Sequence, residues 1–185
     1  MYRNTFLSVM FLACCFNGSL CAQSDAQIYE RTCDAKTYPF SDPSPVATPN
    51  NSYYPYFRFD GFSMQAQEKQ WKMVVLENDY VKLTVTPEIG GKIWGAIDKV
   101  NNKEFVYTNG VVKFRDVAMR GPWTSGGIEF NFGIIGHAPT CSTPIDYLTK
   151  KNVDGSVSCH IFSYEWITRT VWNVEINLPK DKAYF

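Results

Sequence analysis

The 185-residue chain lacks a net charge, because its 18 acidic side chains balance its 18 basic ones. No basic block interrupts this balance, so a nucleic-acid partner is not predicted. The sequence also lacks a phosphate-binding loop, a dinucleotide-binding glycine motif and the glycine-flanked serine of α/β-hydrolases. The sequence therefore does not predict a nucleotide-dependent enzyme or a serine hydrolase.

Apolar runs of transmembrane length are missing from the mature chain, so no membrane span is predicted there. The shorter run from Phe6 to Phe16 follows a basic start at Arg3 and precedes the small residue Ala22. This arrangement predicts a signal peptide over residues 1–22, and therefore export to the periplasm or the extracellular space. A lipid anchor at Cys21 is the alternative.

Cysteines are few after the signal peptide: Cys33, Cys141 and Cys159 remain. In an oxidising compartment they form either one disulfide and one thiol, with Cys141–Cys159 the best candidate pair, or three buried thiols. His137 and His160 add ligand types that suit zinc, but the spacing is not that of a finger or ribbon. Adjacent Cys159 and His160 on a strand would also point to opposite faces. No metal and no other cofactor is therefore predicted.

Helix signals are absent from the proline-rich residues 23–55. Proline fixes the backbone and removes hydrogen-bond donors, which prevents a helix and disfavours a central strand. We expect an extended lead over the surface of a domain that occupies residues 56–185. A disordered linker is the alternative for residues 23–50.

Alternation of apolar and polar residues takes the place of helical periodicity. Residues 81–86 read VKLTVT, with an apolar side chain at every second position, and Pro87 ends this strand. Further strands are predicted at residues 71–77, 92–98, 104–107, 145–149, 156–166 and 171–178. The predicted fold class is all-β with antiparallel strands. Residues 183–185 read as the start of another strand, so we expect a domain that is incomplete at its C-terminus.

Five glycines interrupt residues 115–140, so neither a long helix nor a regular strand can run through this stretch. In its segment IEFNF, Glu129 and Asn131 share one face of the backbone and the apolar residues share the other. A carboxylate beside an amide suits a polar ligand. The alternative is an ion pair of Glu129 with Arg115 or Arg120.

The same stretch holds the other candidate site residues. His137 lies between Gly136 and Ala138, and with Glu129 it is a candidate for proton transfer in sugar chemistry. Arg120, Trp123 and Asn131 are candidates for substrate binding, the indole by stacking on a sugar face. The alternatives are a structural histidine, an arginine that clamps the loop and an indole buried as packing.

Residues 77–107, ENDYVKLTVTPEIGGKIWGAIDKVNNKEFVY, resemble the opening of a galactose mutarotase-like domain, with Pro87 and Gly90-Gly91 at the bend between two strands. The runs VVKFRDVAMRGPWTSGGIEFNFGIIGHAPT and WNVEINLPKDKAYF more closely resemble a bacterial domain-of-unknown-function family, often followed by tetratricopeptide repeats. This resemblance covers residues 55–185. It implies a β-supersandwich with a sugar on its concave face, and possible repeats downstream.

In the epimerases of that superfamily an arginine and a histidine from early loops bind sugar hydroxyls, and Arg120 and His137 are their counterparts by position. Their catalytic glutamate comes from a later part of the domain, which this chain does not contain. The function predicted is an exported carbohydrate-active domain with glycoside hydrolase-like processing by Glu129 and His137. A non-catalytic carbohydrate-binding module and a protein-interaction domain attached to helical repeats are the alternatives.

Overall fold

The computed structural model describes residues 24–40, 61–116, 122–132, 136–165 and 168–185. In these ranges the chain forms eleven β-strands and one 3-10 turn at Pro139–Cys141, with no α-helix. The all-β prediction is confirmed. The predicted signal peptide and residues 41–60 of the chain lie outside the described residues. No helix in the described ranges is long and apolar enough to cross a membrane.

Six strands form the larger sheet, in the order β5-β4-β3-β2-β1-β6. Neighbouring strands are antiparallel except β1 and β6, which are parallel. The strands are β1 Gln27–Tyr38, β2 Gln67–Glu77, β3 Val81–Thr86, β4 Lys92–Asp98, β5 Lys103–Val106 and β6 Val111–Lys113.

Three further strands form a second antiparallel sheet, in the order β11-β10-β9. A two-stranded ribbon, β7 with β8, lies between the two sheets in the sequence. The strands are β7 Arg115–Asp116, β8 Pro122–Trp123, β9 Asp146–Lys151, β10 Val157–Glu165 and β11 Thr170–Leu178.

The two sheets share one apolar core, which gives a sandwich-like arrangement. The larger sheet contributes the inward side chains of β2, β3 and β4, and the smaller sheet those of β10 and β11. Burying one such valine, leucine or isoleucine side chain contributes about 1.5–3 kcal/mol, so this shared core holds the sheets together. Its fully buried members include Val74, Leu76, Leu83, Val85, Val157, Ile161 and Leu178.

Strand β1 differs from the expectation of a surface lead. It pairs with β2 along its length, from Gln27 opposite Glu77 to Thr37 opposite Gln67. The prolines that suggested a lead begin only at Pro39, after the strand has ended. Most β1 side chains are exposed or half-buried, so the strand shows little apolar alternation for a sequence pattern to detect.

The larger sheet is curled, and the chain itself requires this. In a flat sheet, five inter-strand spacings of about 4.8 Å would put β5 and β6 roughly 24 Å apart. The chain from Val106 to Val111 reaches at most about 18 Å. The crossover, residues 107–110, therefore spans the concave side, where Thr108 lies against Gly95 and Trp94 Nε1 donates to Asn109 O at 3.2 Å.

Residues 183–185 do not form the predicted strand. The chain after β11 is instead held by Asn78, whose amide donates to the carbonyls of Pro179 and Lys182 at 2.7 and 2.8 Å. The ring of Phe185 then packs against Phe105, with centroids 6.1 Å apart. This end of the chain is thereby fixed to the β2–β3 turn and to the edge strand β5.

Of the two alternatives for the cysteines, the structure has the thiols: Cys141 and Cys159, the best candidate pair for a disulfide, are both free. Cys159 belongs to the core between the sheets, whereas Cys141 ends the 3-10 turn beside Ser142. Burial is the largest cause that raises the pKa of each thiol to about 12. Both are therefore protonated and unreactive at neutral pH.

Candidate functional site

The glycine-rich segment is attached to the larger sheet at the start of β4. Ile128 and Ile93 exchange two backbone hydrogen bonds, at 2.8 and 3.1 Å. Gly127 makes this approach possible: its φ is +68°, and a Cβ there would lie 2.2 Å from the Ile93 carbonyl oxygen. The bridge places Glu129 immediately beyond the sheet edge of β4.

Glu129 and His137 are in direct contact. His137 Nδ1 lies 2.7 Å from Glu129 Oε1, and Asn131 Nδ2 donates to the same oxygen at 3.0 Å. Asn131 Oδ1 in turn accepts from the backbone N–H of Ala138 at 3.0 Å. One amide therefore ties both arms of the loop together and fixes the carboxylate against the imidazole.

The backbone at His137 has a φ of +54°, in the left-handed region that a non-glycine residue rarely adopts. Such a conformation costs on the order of 1 kcal/mol or more and persists where surrounding contacts hold it. Here the contacts with Glu129 and the Asn131–Ala138 bond provide that restraint.

The two partners differ in exposure. The Glu129 side chain is 11% exposed and the His137 side chain 32%. A carboxylate only accepts, so the proton in their contact belongs to Nδ1 of the ring. In the neutral imidazole this tautomer leaves Nε2 as an acceptor, and no described residue occupies it. The carboxylate therefore orients the ring, and the ring is the half that solvent reaches.

Trp123 lies against the imidazole. The two ring centroids are 5.9 Å apart, and the planes meet at 72° in an edge-to-face arrangement. This contact places a half-buried indole at the side of His137, where it limits the positions that the imidazole can take.

A buried cation lies near Glu129, and sequence reasoning missed it. Lys92 is 2% exposed, and its ammonium donates to the Thr124 carbonyl at 2.5 Å and to the Thr124 hydroxyl at 3.1 Å. Burial lowers the pKa of Lys92, and the nearby negative charge of Glu129 acts in the opposite direction. The only sequence signal was a lysine at a strand position between Gly91 and an apolar pair.

Cys141 is a second neighbour of the carboxylate. After burial, the charge of Glu129 is the next cause that raises its thiol pKa. The other carboxylate oxygen, Glu129 Oε2, is buried and has no hydrogen-bond partner among the described residues.

Four of the predicted site residues thus come together: Glu129, Asn131, His137 and Trp123. Arg120 lies outside the described residues. Arg115, the alternative partner for Glu129, instead places its guanidinium over the ring of Phe62, 4.5 Å from the centroid.

A family model described as "Domain of unknown function (DUF5107)" matches residues 48–185. The chain belongs to this family. The part of the DUF5107 chain that the structure describes contains no group of three or more His, Cys, Asp and Glu side chains that could hold a metal ion.

One solved structure similar to this DUF5107 chain is that of a TPR-domain containing protein from Parabacteroides distasonis. The two chains are 26% identical over the matched region, with a TM-score of 0.77. The match covers 86% of this chain and 28% of the other. The DUF5107 chain therefore spans less than a third of the length of that protein.

Proposed function

We propose that this domain binds carbohydrate at the Glu129–His137 pair and that His137 transfers a proton on the bound sugar, in glycoside hydrolase-like processing. The observation that carries the proposal is the 2.7 Å contact between a largely buried carboxylate and a partly exposed imidazole. A carboxylate that fixes one ring nitrogen leaves the other ready to accept or return a proton.

The surroundings of the pair fit a sugar better than a charged ligand. The nearby Lys92 ammonium compensates the one negative charge of the pair. The indole of Trp123 adds an apolar edge, and Nε2 of the partly exposed His137 can accept from a hydroxyl. A ring with both hydroxyls and C–H faces matches this mixture.

Glycoside hydrolysis usually requires two carboxyl groups, one as the acid and one as the base or nucleophile. Glu129 is committed to His137, so in this proposal the imidazole accepts a proton at Nε2 as the base, and a carboxyl group elsewhere in the full-length protein acts as the acid. A galactose mutarotase-like scaffold, whose concave face holds a sugar, is part of the same proposal and is supported by the curled larger sheet. Arg120 is assigned to substrate binding on its sequence position alone.

Two variants of the full chain test the proposal: His137→Gln and Glu129→Gln. Both should retain binding to the sugar that the native chain selects from a panel of neutral glycans. His137→Gln should lose turnover by about 100-fold or more, the contribution expected of a general base. The control is Val153→Gln, a fully exposed turn residue in the loop before β10. Unchanged turnover in His137→Gln contradicts the catalytic part, and no glycan binding at all contradicts the whole.

Export belongs to the same proposal, because the glycans in question lie outside the cytoplasm. Expression with residues 1–22 in place should yield a mature chain that begins near Gln23. N-terminal sequencing of the secreted or periplasmic fraction measures this directly. A mature chain that begins at a lipid-modified Cys21 would instead establish the anchored form.

A protein-interaction role is the second candidate, and an exposed apolar patch favours it. Val100, Phe105, Tyr107 and Tyr184 are all largely exposed around the edge strand β5. The related solved protein also contains a TPR domain. If the domain packs against such repeats, Phe105→Ser should weaken that association and leave glycan binding unchanged.

A further inference from the structure

Lys92 and Glu129 are placed across from each other by the backbone bridge at the start of β4. Ile93 and Ile128 exchange both hydrogen bonds of this antiparallel bridge. Lys92 precedes Ile93 and Glu129 follows Ile128, so the two are the next cross-strand neighbours. Side chains at such positions share one face and are close enough to interact. The bridge therefore brings one cation and one carboxylate together.

The 3-10 turn at Pro139–Cys141 packs on the chain just before β4. The N–H of Gly90 donates to the Thr143 carbonyl at 2.8 Å, and a Cβ on Gly90 would collide with the backbone of Cys141. The absence of a side chain at Gly90 therefore lets the turn approach the strand. Lys92, two residues further on, is 2% exposed, so its charge is separated from solvent.

The charge of Lys92 is held in place but is not neutralised where it lies. Its ammonium donates to the carbonyl and to the hydroxyl of Thr124, and both of these acceptors are uncharged. Burial is the largest cause that lowers the pKa of Lys92, whereas the carboxylate of Glu129 raises it. Glu129 is therefore the charge on which the buried ammonium acts.

The ionisable neighbours of Glu129 within the described ranges come from three elements. They are Lys92 from β4, Cys141 from the 3-10 turn and His137 from the loop. Burial raises the pKa of the Cys141 thiol to about 12, so this group is neutral at pH 7. With the ammonium, the carboxylate and a neutral imidazole, the cluster has no net charge. A further proton on the pair would leave a net positive charge beside a buried cation, which is unfavourable.

We propose that Lys92 is a positioning residue of this site: its buried charge keeps the Glu129–His137 pair free of an added proton at neutral pH, so that Nε2 of His137 stays available as the base. A positive charge opposes the uptake of another proton nearby, and salt screens this effect only weakly in the interior. Lys92 acts through Glu129 and needs no contact with a substrate. The use of the base on a sugar rests on the proposed function, whereas the effect of Lys92 on the pair does not.

A pH titration of the His137 ring in the full chain tests this without any sugar. The chain has two histidines, so ¹⁵N-labelled histidine gives two sets of ring signals, and His160→Gln identifies those of His137. In Lys92→Met the pair should take up its proton at a higher pH than in the native chain, whichever partner holds it, because the opposing charge is gone. His160, which lies 3.8 Å from Glu175, should titrate as before.

Thr124→Val is the matched control for a merely structural effect. It removes the hydroxyl that accepts from the Lys92 ammonium and leaves the charge in place. We therefore expect a loss of stability without a change in the pH at which the pair takes up its proton. Lys72→Met, which removes a half-exposed lysine, should change neither.

A salt titration of the native chain needs no variant of Lys92, and so stays decisive if Lys92→Met does not fold. Between about 0.05 and 1 M sodium chloride, the titration of His137 should move less than that of His160. The reason is that the carboxylate beside His137 is 11% exposed, whereas the carboxylate beside His160 is 50% exposed and is screened by salt.

Three outcomes would overturn the inference. The first is an unchanged His137 titration in a folded Lys92→Met chain. The second is an equal change in Thr124→Val, which would mean that looser packing and not lost charge is the cause. The third is a salt dependence of His137 as large as that of His160. Absence of glycan binding by the native chain would instead contradict the proposed function and leave the role of Lys92 standing.

Discussion

Lys92 and Glu129 should be energetically coupled, and a double-mutant cycle can measure this. Lys92→Met keeps the length of the side chain and removes its charge. The substitution leaves two buried acceptors of Thr124 without their donor, at about 1–3 kcal/mol each. Part of that loss is returned, because the buried ammonium no longer has to be desolvated. We expect a net loss of about 2–4 kcal/mol in the free energy of unfolding.

Glu129→Gln removes the carboxylate that accepts from His137 and Asn131. A hydrogen bond to a charged group contributes about 1.5–3 kcal/mol, so a loss of that order is expected. In the double variant neither charge remains unbalanced in the interior. The double variant should therefore be less destabilised than the sum of the two single variants by about 1 kcal/mol or more.

Urea unfolding at neutral pH gives the free energies, with unchanged m-values as the sign of a two-state comparison. Lys72→Met is the control for losing a lysine, because that side chain is half-exposed and forms only a 3.9 Å surface ion pair with Glu30. Its cost should stay below about 0.5 kcal/mol. Additivity of Lys92→Met and Glu129→Gln within about 0.5 kcal/mol would refute the coupling.

Three further predictions concern stability. Gly127→Ala should lower the free energy of unfolding in urea by at least about 2 kcal/mol, because φ is positive there and the new Cβ would clash with the Ile93 carbonyl oxygen. Gly110→Ala, where an added Cβ meets open space, is the control and should be nearly neutral. The contribution of the Cys141 and Cys159 thiols to the free energy of unfolding should be full below pH 9 and fall as the pH rises toward 12. The reason is that these thiols ionise near 9.0 in the unfolded chain, whereas burial keeps them protonated in the folded one. A free energy of unfolding that stays constant between pH 9 and 12 would contradict this. Burial opposes ionisation of Glu77, but hydrogen bonds from Lys99 and Tyr29 outweigh it and lower the pKa of this carboxyl. Its contribution to stability should therefore be present above pH 4.5 and be lost on acidification. Glu77→Gln should accordingly weaken the fall of the melting temperature at acid pH.

The strands of the meander were predictable because each carries its own local signal. The boundaries of β3 and β4 agree with the predicted residues 81–86 and 92–98. Proline ends the first of these and paired glycines open the second, and both act through neighbouring backbone atoms alone. Strand β1 has no such signal, because its stability comes from the ladder to β2 and not from its own apolar face.

The candidate site was predictable only as a set of residue types. Glu129 and Asn131 lie two positions apart, so their proximity follows from the backbone period. His137 is eight residues away, and its contact with Glu129 depends on a left-handed backbone and on Asn131 bonding across the loop. The sequence left open whether Cys141 and Cys159 form a disulfide or stay free thiols, because spacing in the sequence carries no information on which layer of a sandwich each residue enters.

The sequence by itself determined the all-β class, most strand positions and the concentration of polar groups in the glycine-rich segment, since these follow from the period of the backbone and from proline and glycine. Only the tertiary structure decided that Lys92 is buried near Glu129, that Trp94 turns inward at a bulge, and that the larger sheet curls around a cavity. Burial, register shifts and curvature arise where segments distant in the chain meet, and no local pattern specifies that meeting.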